Sequence, residues 1–269
     1  MHPSESFANL SLIIMNHQQR FSLEGKVALV TGSTKGLGRA MALALGEAGA
    51  KVAINYHHDQ TKAQSTLDAF KEAGCEGLLV RGDVTDETEV NEMVTIIANE
   101  LGPVDIAILN ATCDQPHHPI EEYSWDFYQS MLDFFIKSPY LISRAILPAM
   151  KKKHWGRIIN IGSEVVHLGV PNFSAYVAAK GGQNGWTRSM ARELAPFGIT
   201  VNMISPGWIP VERHEKEPQE WKDAYLPTIP VGRWGVPEDL AGAVTFLASE
   251  SSSFVTGQNL HINGGLTLH

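Results

Sequence analysis

Tyr176 and Lys180 stand four residues apart in "SAYVAAKGG" (174–182), with only Val177, Ala178 and Ala179 between them. Positions i and i+4 share one helix face, so a helix here sets an ammonium beside a phenol on a stretch slim enough to be buried. A phenol with an ordinary pKa near 10 is neutral at pH 7. To serve as a general base it needs roughly 4 kcal/mol of preferential phenolate stabilisation. A neighbouring cation is one source of it.

A second group of residues offers a phosphate cradle. "TGSTKGLGRA" (31–40) places Gly32, Gly36 and Gly38 directly after an apolar run and at the opening of a helical pattern. Glycine suits a backbone that turns tightly and comes close to a pyrophosphate, and the helix N-terminus adds free N–H donors. The turn therefore predicts dinucleotide binding by Gly32, Ser33, Lys35, Gly36, Leu37 and Gly38. The next apolar run ends "INYHHD", with Asn55 and Tyr56 where a carboxylate would hold a ribose 2′-hydroxyl. Lys35 and His57 are cationic or can become so, and this balance favours NADP(H), with NAD(H) as the alternative.

The elements that must position these groups follow from the apolar pattern. Runs at 26–31, 51–55, 77–81, 104–110, 157–162, 199–205 and 259–263 alternate with helical segments near 37–48, 60–73, 86–100, 121–153, 173–196 and 237–249. Several runs are apolar almost throughout, as strands covered on both faces must be. The expected fold is one doubly wound α/β domain, a mostly parallel seven-stranded sheet with helices on both faces, over 22–269. Residues 206–235 interrupt the rhythm with a long, polar, proline-punctuated stretch and are expected to form a substrate lid. Residues 1–21 are expected to be a flexible extension, with Met15 as the natural start.

Bulk properties exclude several classes. The 269 residues carry a net charge of −8, which argues against general nucleic-acid binding. Leu10–Met15 is too short an apolar run to span a bilayer, so no membrane partner is expected and a cytoplasmic location is. Cys75 and Cys113 form no spaced framework, and the His57-His58 and His117-His118 pairs make no metal site by themselves. The one compact basic run, Lys151–Lys153, reads as a solvated helix end or else as a docking patch.

Taken in order, these motifs resemble the short-chain dehydrogenase/reductase family over nearly the whole chain from about residue 22. "TGSTKGLG" matches its glycine turn, and "GDVTD" (82–86) its acidic turn after strand three, which implicates Asp83 and Val84 at the adenine. Asn110-Ala111 matches the end of strand four, and "PGWI" (206–209) the nicotinamide-side turn, which brings in Pro206, Gly207 and Ile209. Ser163 lies thirteen residues before Tyr176, the family's spacing. The resemblance implies that Ser163 hydrogen-bonds the substrate oxygen, Tyr176 transfers the proton, and Lys180 holds the nicotinamide ribose and supplies charge. It also implies a homotetramer, pairing helices 121–153 and 173–196 across one interface and the last strand and helix across another.

The chain departs from the family pattern at three positions. Thr112 follows Ala111 where glycine is usual. The asparagine that anchors a water relay to the lysine falls in register on Phe135, and no Asn occurs from 111 to 159. Val211 replaces a threonine five residues after Pro206.

Substrate contacts are expected from Thr112, Glu164, His167 and Trp208, with Trp221 further along the lid. Glu164 reads equally as a pocket residue or a solvent-facing carboxylate; if it and His167 both face the pocket, a sugar or polyol is favoured. "VGRWGVPEDLAGAVTFLAS" and "VTGQNLHINGG" are most similar to 3-oxoacyl-acyl-carrier-protein reductases. The lid carries Glu212, Glu215, Glu217 and Glu220 against Arg213 and Lys216, which disfavours an acidic acyl carrier protein as partner. The expected activity is interconversion of a small carbonyl and a secondary alcohol. A sugar or polyol dehydrogenase is the alternative, and a weakly catalytic dinucleotide-binding regulator is the reading from another class, supported by Phe135.

Overall fold

The computed structural model describes residues 17–215 and 217–268. Of the flexible extension expected over residues 1–21, residues 1–16 with the Met15 start lie outside the described residues, as does the lid charge of Lys216. His17–Phe21 instead form a helix whose Phe21 ring lies 6.5 Å from that of Phe246. Helix α1 (His17–Phe21) comes first. It is followed by β1 (Val27–Val30), α2 (Gly36–Glu47), β2 (Lys51–Tyr56), α3 (Gln60–Glu72), β3 (Gly77–Arg81), α4 (Glu87–Glu100) and β4 (Ile106–Leu109). The second half runs α5 (Trp125–Leu132), α6 (Ser138–Lys153), β5 (Gly156–Ile161), α7 (Val165–Leu168), α8 (Ser174–Leu194), β6 (Ile199–Pro206), α9 (Gln219–Tyr225), α10 (Ala241–Ala248) and β7 (Asn259–Ile262).

The seven strands form one sheet in the order β3-β2-β1-β4-β5-β6-β7, and every pairing is parallel. The central strands are buried along their whole length, as "VALV", "IAIL" and "GRIINI" require when both faces are covered. One face packs on α2, α3 and α10 through Leu45, Phe70 and Val244. The other packs on α4, α6 and α8 through Met93, Ile146 and Leu194. The expected doubly wound sheet is therefore present, with every strand parallel.

Strand order reverses between β1 and β4, and in such sheets the crevice beyond the strands' carboxyl ends is the ligand site. The turns after β1, β4 and β5 all open at that end. Lys151–Lys153 sit at the other end, on the last turn of α6 just before β5 begins. There Lys153 pairs with Asp105 at 2.6 Å and Lys151 lies over the Phe197 ring at 4.6 Å. The six residues of β5 separate this run from Ser163 by about 20 Å, so it forms no part of the crevice mouth. Among the described residues no helix is long and apolar enough to cross a membrane.

Candidate active site

The glycine turn is bolted to its neighbours before any ligand arrives. Gly32 and Gly36 adopt φ of 60° and 50°, the left-handed region that favours glycine. Asn55, buried at the end of β2, accepts from Gly32 N–H at 3.1 Å and donates to Gly82 O at 3.1 Å. From β4, Asn110 Nδ2 donates to Thr31 O at 2.9 Å and Gly32 O at 3.1 Å. Thr31 Oγ1 accepts from the N–H groups of Asn110 and Ala111. Asn55 and Asn110 are thus carpenters of the turn.

Not every residue of the expected cradle turns a donor outward. The Ser33 hydroxyl donates inward to Val30 O at 2.7 Å, and its N–H to Asn55 O. Donors remain at the start of α2, where Lys35 provides no capping side-chain hydrogen bond for the first N–H groups of Gly36 and Leu37. Gly38 admits no side chain, because a Cβ would come 2.4 Å from Gly32 O and 2.5 Å from Asn110 Nδ2. A helix N-terminus without a side-chain cap, behind a glycine turn, suits a pyrophosphate. Farther along the strand ends, the His57 and His58 rings lie tilted against each other, 3.6 Å between centroids. Asp83 accepts twice from Thr85 at 2.8 Å. Although burial pushes its pKa up, the Thr85 bonds and the nearby His57 and His58 outweigh this and hold it below the ordinary range. Val84 is a core side chain packed with Met93. Exposed Lys35 and half-buried Tyr56 flank the same end.

Ser163 follows β5 and Tyr176 lies in the first turn of α8, and the fold sets the two side chains close enough for the serine hydroxyl to act on the phenol. Lys180 Nζ sits 5.8 Å from the Tyr176 ring centroid. Burial pushes the Tyr176 phenol up, while the Arg213 guanidinium and the Ser163 bond pull it down; the net direction is up. Burial, with Arg213, pushes Lys180 well below the ordinary lysine range. The chain alone therefore does not make phenolate cheap. Between α5 and α6 the helix widens into a π-turn over Asp133–Lys137, where Ser138 N–H bonds to Asp133 O five residues back. This turn carries Phe135, wholly buried, with its ring edge-on to Tyr176 at 5.2 Å.

Glu164 does not face solvent. It is 3% exposed, takes a hydrogen bond from the Tyr225 hydroxyl, and burial raises its pKa. His167 is exposed and meets the His261 ring edge-on at 4.7 Å. Glu164 is thus held by the lid tyrosine, while His167 lies at the surface. Trp208 packs against Tyr225, Trp234 and His214, so its ring belongs to the lid's own aromatic centre. A cavity of about 190 Å³ lies beside this cluster, lined by Gly207, Trp208, Tyr225 and Asn263 among others. Pro206 O accepts from Glu164 N–H, Gly207 N–H donates to Ile262 O, and Ile209 is buried against Gly235.

Two contacts close the lid over the site. Trp221 of α9 meets the His117 ring at 5.4 Å, and His117 stacks on Phe173 at 3.9 Å. Arg213 Nη1 donates to Gln115 Oε1 at 3.4 Å, and Gln115 Nε2 to Thr112 Oγ1. Val211 and Glu212 lie over Gly36, which is where the departure from threonine puts its apolar side chain. Burial pushes the Cys113 thiol, beneath the lid, up to about 11. Among the described residues no group of three or more His, Cys, Asp and Glu gathers to hold a metal ion. Sequence reasoning missed Tyr225, Gln115 and the inward reach of Arg213; no local motif signals them.

The chain matches, over residues 32–267, the family model described as enoyl-(acyl carrier protein) reductase. It is 37% identical over 243 residues to a 3-oxoacyl-acyl-carrier-protein reductase of Staphylococcus epidermidis, covering 90% of this chain and 98% of that one. The corresponding reductase of Vibrio cholerae is 40% identical over 247 residues, 91% of this chain and 98% of the relative. Among solved structures, a gluconate 5-dehydrogenase from Burkholderia cenocepacia in complex with NADP and tartrate superposes with a TM-score of 0.87 at 31% identity, covering 93% and 98% of the two chains. A short-chain type dehydrogenase/reductase from Mycobacterium marinum gives 0.86 at 34%, covering 95% and 100%.

Proposed function

The chain belongs to the short-chain dehydrogenase/reductase family of oxidoreductases, and from that premise we propose that it interconverts a small carbonyl compound and its secondary alcohol with NADP(H). The observation that carries this reading is that Ser163, Tyr176 and Lys180 gather at the crevice end of the sheet, the same end at which α2 begins without a side-chain cap. Gly36 and Leu37 would hold the pyrophosphate and Lys35 the 2′-phosphate. Lys180, whose Nζ is turned to Ile161 O and Gln183 Oε1, would supply charge beside Tyr176 and not a bond to the nicotinamide ribose. When bound, the nicotinamide gives or takes the hydride.

The chain's own residues then handle the proton. Ser163 donates to the substrate oxygen and orients it. In reduction, Tyr176 gives its proton to that oxygen as negative charge develops there. The resulting phenolate is buried, and it is tolerable only beside positive charge, which Lys180 and Arg213 can provide. Lid contacts through Trp221 and Arg213 exclude water while this happens. In the oxidative direction Tyr176 works as the base.

Lid charge supports a free, small substrate over a carrier-bound one: Glu212, Glu215, Glu217 and Glu220 oppose an acidic partner. The only compact run of lysines lies at the far end of the sheet. The relatives named 3-oxoacyl-acyl-carrier-protein reductase keep the thioester as a second reading. A panel of small ketones, keto acids, ketoses and an acetoacetyl thioester, assayed with NADPH and NADH, separates the two. Turnover of the thioester alone would overturn the free-substrate reading, and no turnover of any member would overturn both. A homotetramer is proposed with it, since β7 is an open sheet edge and Phe254 and Leu268 are exposed. Light scattering should give four times 29.4 kDa; a monomer would refute it.

A further inference from the structure

Lys180 is 4% exposed, and no carboxylate pairs with it among the described residues. A buried ammonium is costly unless its N–H groups find acceptors. On one side Nζ meets the face of Phe135, 3.9 Å from the ring centroid. A phenyl face attracts a cation, but it has no lone pair to fix a direction and passes no proton. Two polar partners remain: Ile161 O, and Gln183 Oε1 at 3.2 Å.

Gln183 is itself 1% exposed and belongs to a closed chain of donors. Thr187 Oγ1 lies 2.8 Å from Gln183 O. A carbonyl only accepts, so the threonine proton is spent there and Thr187 Oγ1 must accept from Asn160 Nδ2 at 2.9 Å. Asn160 then presents its oxygen to Gln183, which answers with Nε2 at 3.3 Å. That leaves the Gln183 oxygen, and not its amide nitrogen, facing the ammonium. Asn160 and Thr187 are buried as well, so water offers no substitute. The direction of this carboxamide is forced by Asn160 and, through it, by Thr187.

We propose that Gln183 is a positioning residue for Lys180: its side-chain oxygen, oriented by Asn160 and Thr187, keeps the ammonium charged and aimed, from the next turn of α8, where the facing helix offers only Phe135. The inference rests on the reading above in one respect only, that Lys180 supports Tyr176. The other groups facing Lys180 are Tyr176, the Cys113 thiol and, from the lid, Arg213. Burial and Arg213 both oppose its charge, so an acceptor inside the site has a strong lever.

The test is direct titration of Lys180 by NMR in ε-labelled, cofactor-free protein, with the signal assigned by its loss in Lys180→Met. Gln183→Met keeps the volume and removes the acceptor; the Lys180 midpoint should fall by about one pH unit. Gln183→Glu puts a carboxylate at the same place and should raise it. Adding Phe135→Asn to Gln183→Met should bring the midpoint back up, because that position faces Nζ. In turnover, the rising limb of the kcat/KM profile for alcohol oxidation should move to higher pH in Gln183→Met and return in the double variant. An unmoved Lys180 midpoint in folded Gln183→Met overturns the proposal, as does an unmoved midpoint in Gln183→Glu if the methionine variant fails to fold. Absence of turnover would overturn the proposed activity and leave the Lys180 titration standing, so the two failures are distinguishable.

Discussion

The hydroxyl of Tyr225, on the last turn of lid helix α9, donates to the carboxylate of Glu164, the residue next to Ser163. The same hydroxyl accepts from Trp208 N–H at 2.8 Å. One phenol thus ties the base of the lid to the strand end that carries the chemistry. Burial pushes the Tyr225 pKa up and the Glu164 bond pushes it further, so this phenol stays a donor at every working pH.

Glu164 makes stability depend on pH in a definite sense. Its folded pKa is raised by burial, above an unfolded value of about 4.3. Below that value both states are protonated and the group costs nothing. As pH rises, the unfolded chain ionises first, so stability declines until the folded pKa is passed. Glu164→Gln removes the titration. Thermal melts from pH 4 to 8 should show the variant's Tm gaining on the unaltered protein as pH increases. A difference that stays flat across this range would count against the assignment.

Tyr225→Phe leaves Trp208 N–H and Glu164 without their shared partner. A loss of about 1–3 kcal/mol is expected, together with faster proteolytic nicking of the lid between Glu212 and Glu220. Unchanged nicking rates would mean that the latch is not what holds the lid down.

Tyr176→Phe separates proton transfer from binding. The ring keeps its contacts with Phe135 and Phe173, so fold and NADPH affinity should persist. Turnover should drop by about 10²- to 10⁴-fold, the usual worth of a positioned general acid. NADPH fluorescence titration beside steady-state assays reads both quantities. Retained turnover would remove Tyr176 from the mechanism.

The sheet was legible because its signals are local. Each apolar run lies within two residues of a strand end, and the glycine turn announces itself through spacing. Phe135 was also legible as a departure, but not its consequence. Only the packed structure shows the ring against Lys180 and the compensating oxygen of Gln183. The latch joins positions sixty-one residues apart, and nothing in the pattern near "SEVV" or "KDAYLP" links them. Glu164 read equally well as solvent-facing because burial here is imposed by the lid, whose irregular chain carries no period. Lys151–Lys153 could not be placed at either end of the sheet until α6 was seen to end beside the start of β5.

On the proposed function, cofactor choice would turn on Lys35. Its side chain is exposed at the start of α2, and a single charge-assisted contact to a phosphate amounts to about tenfold in affinity. Lys35→Ala should therefore weaken NADPH roughly tenfold and leave NADH almost unchanged, with the gap shrinking at high salt. Equal losses for both cofactors would show that Lys35 serves the shared pyrophosphate instead.

Gly38 gives the sharpest test of the cradle. An alanine Cβ would stand 2.4 Å from Gly32 O, 2.5 Å from Asn110 Nδ2 and 3.0 Å from Ser33 Cα. None of these atoms is free to yield: Asn110 Nδ2 is engaged with both Thr31 O and Gly32 O, and Ser33 is held by Asn55 O and Val30 O. Relief must come from moving α2 away from the turn, which opens the packing of Leu45 on the sheet. Gly38→Ala should cost about 1–3 kcal/mol, a fall in Tm of several degrees for a domain of this size. NADPH binding should vanish with it, because the donors of Gly36 and Leu37 move with the helix. A variant that melts normally and still binds NADPH would show that the turn adapts, and that the cradle is not set by this contact.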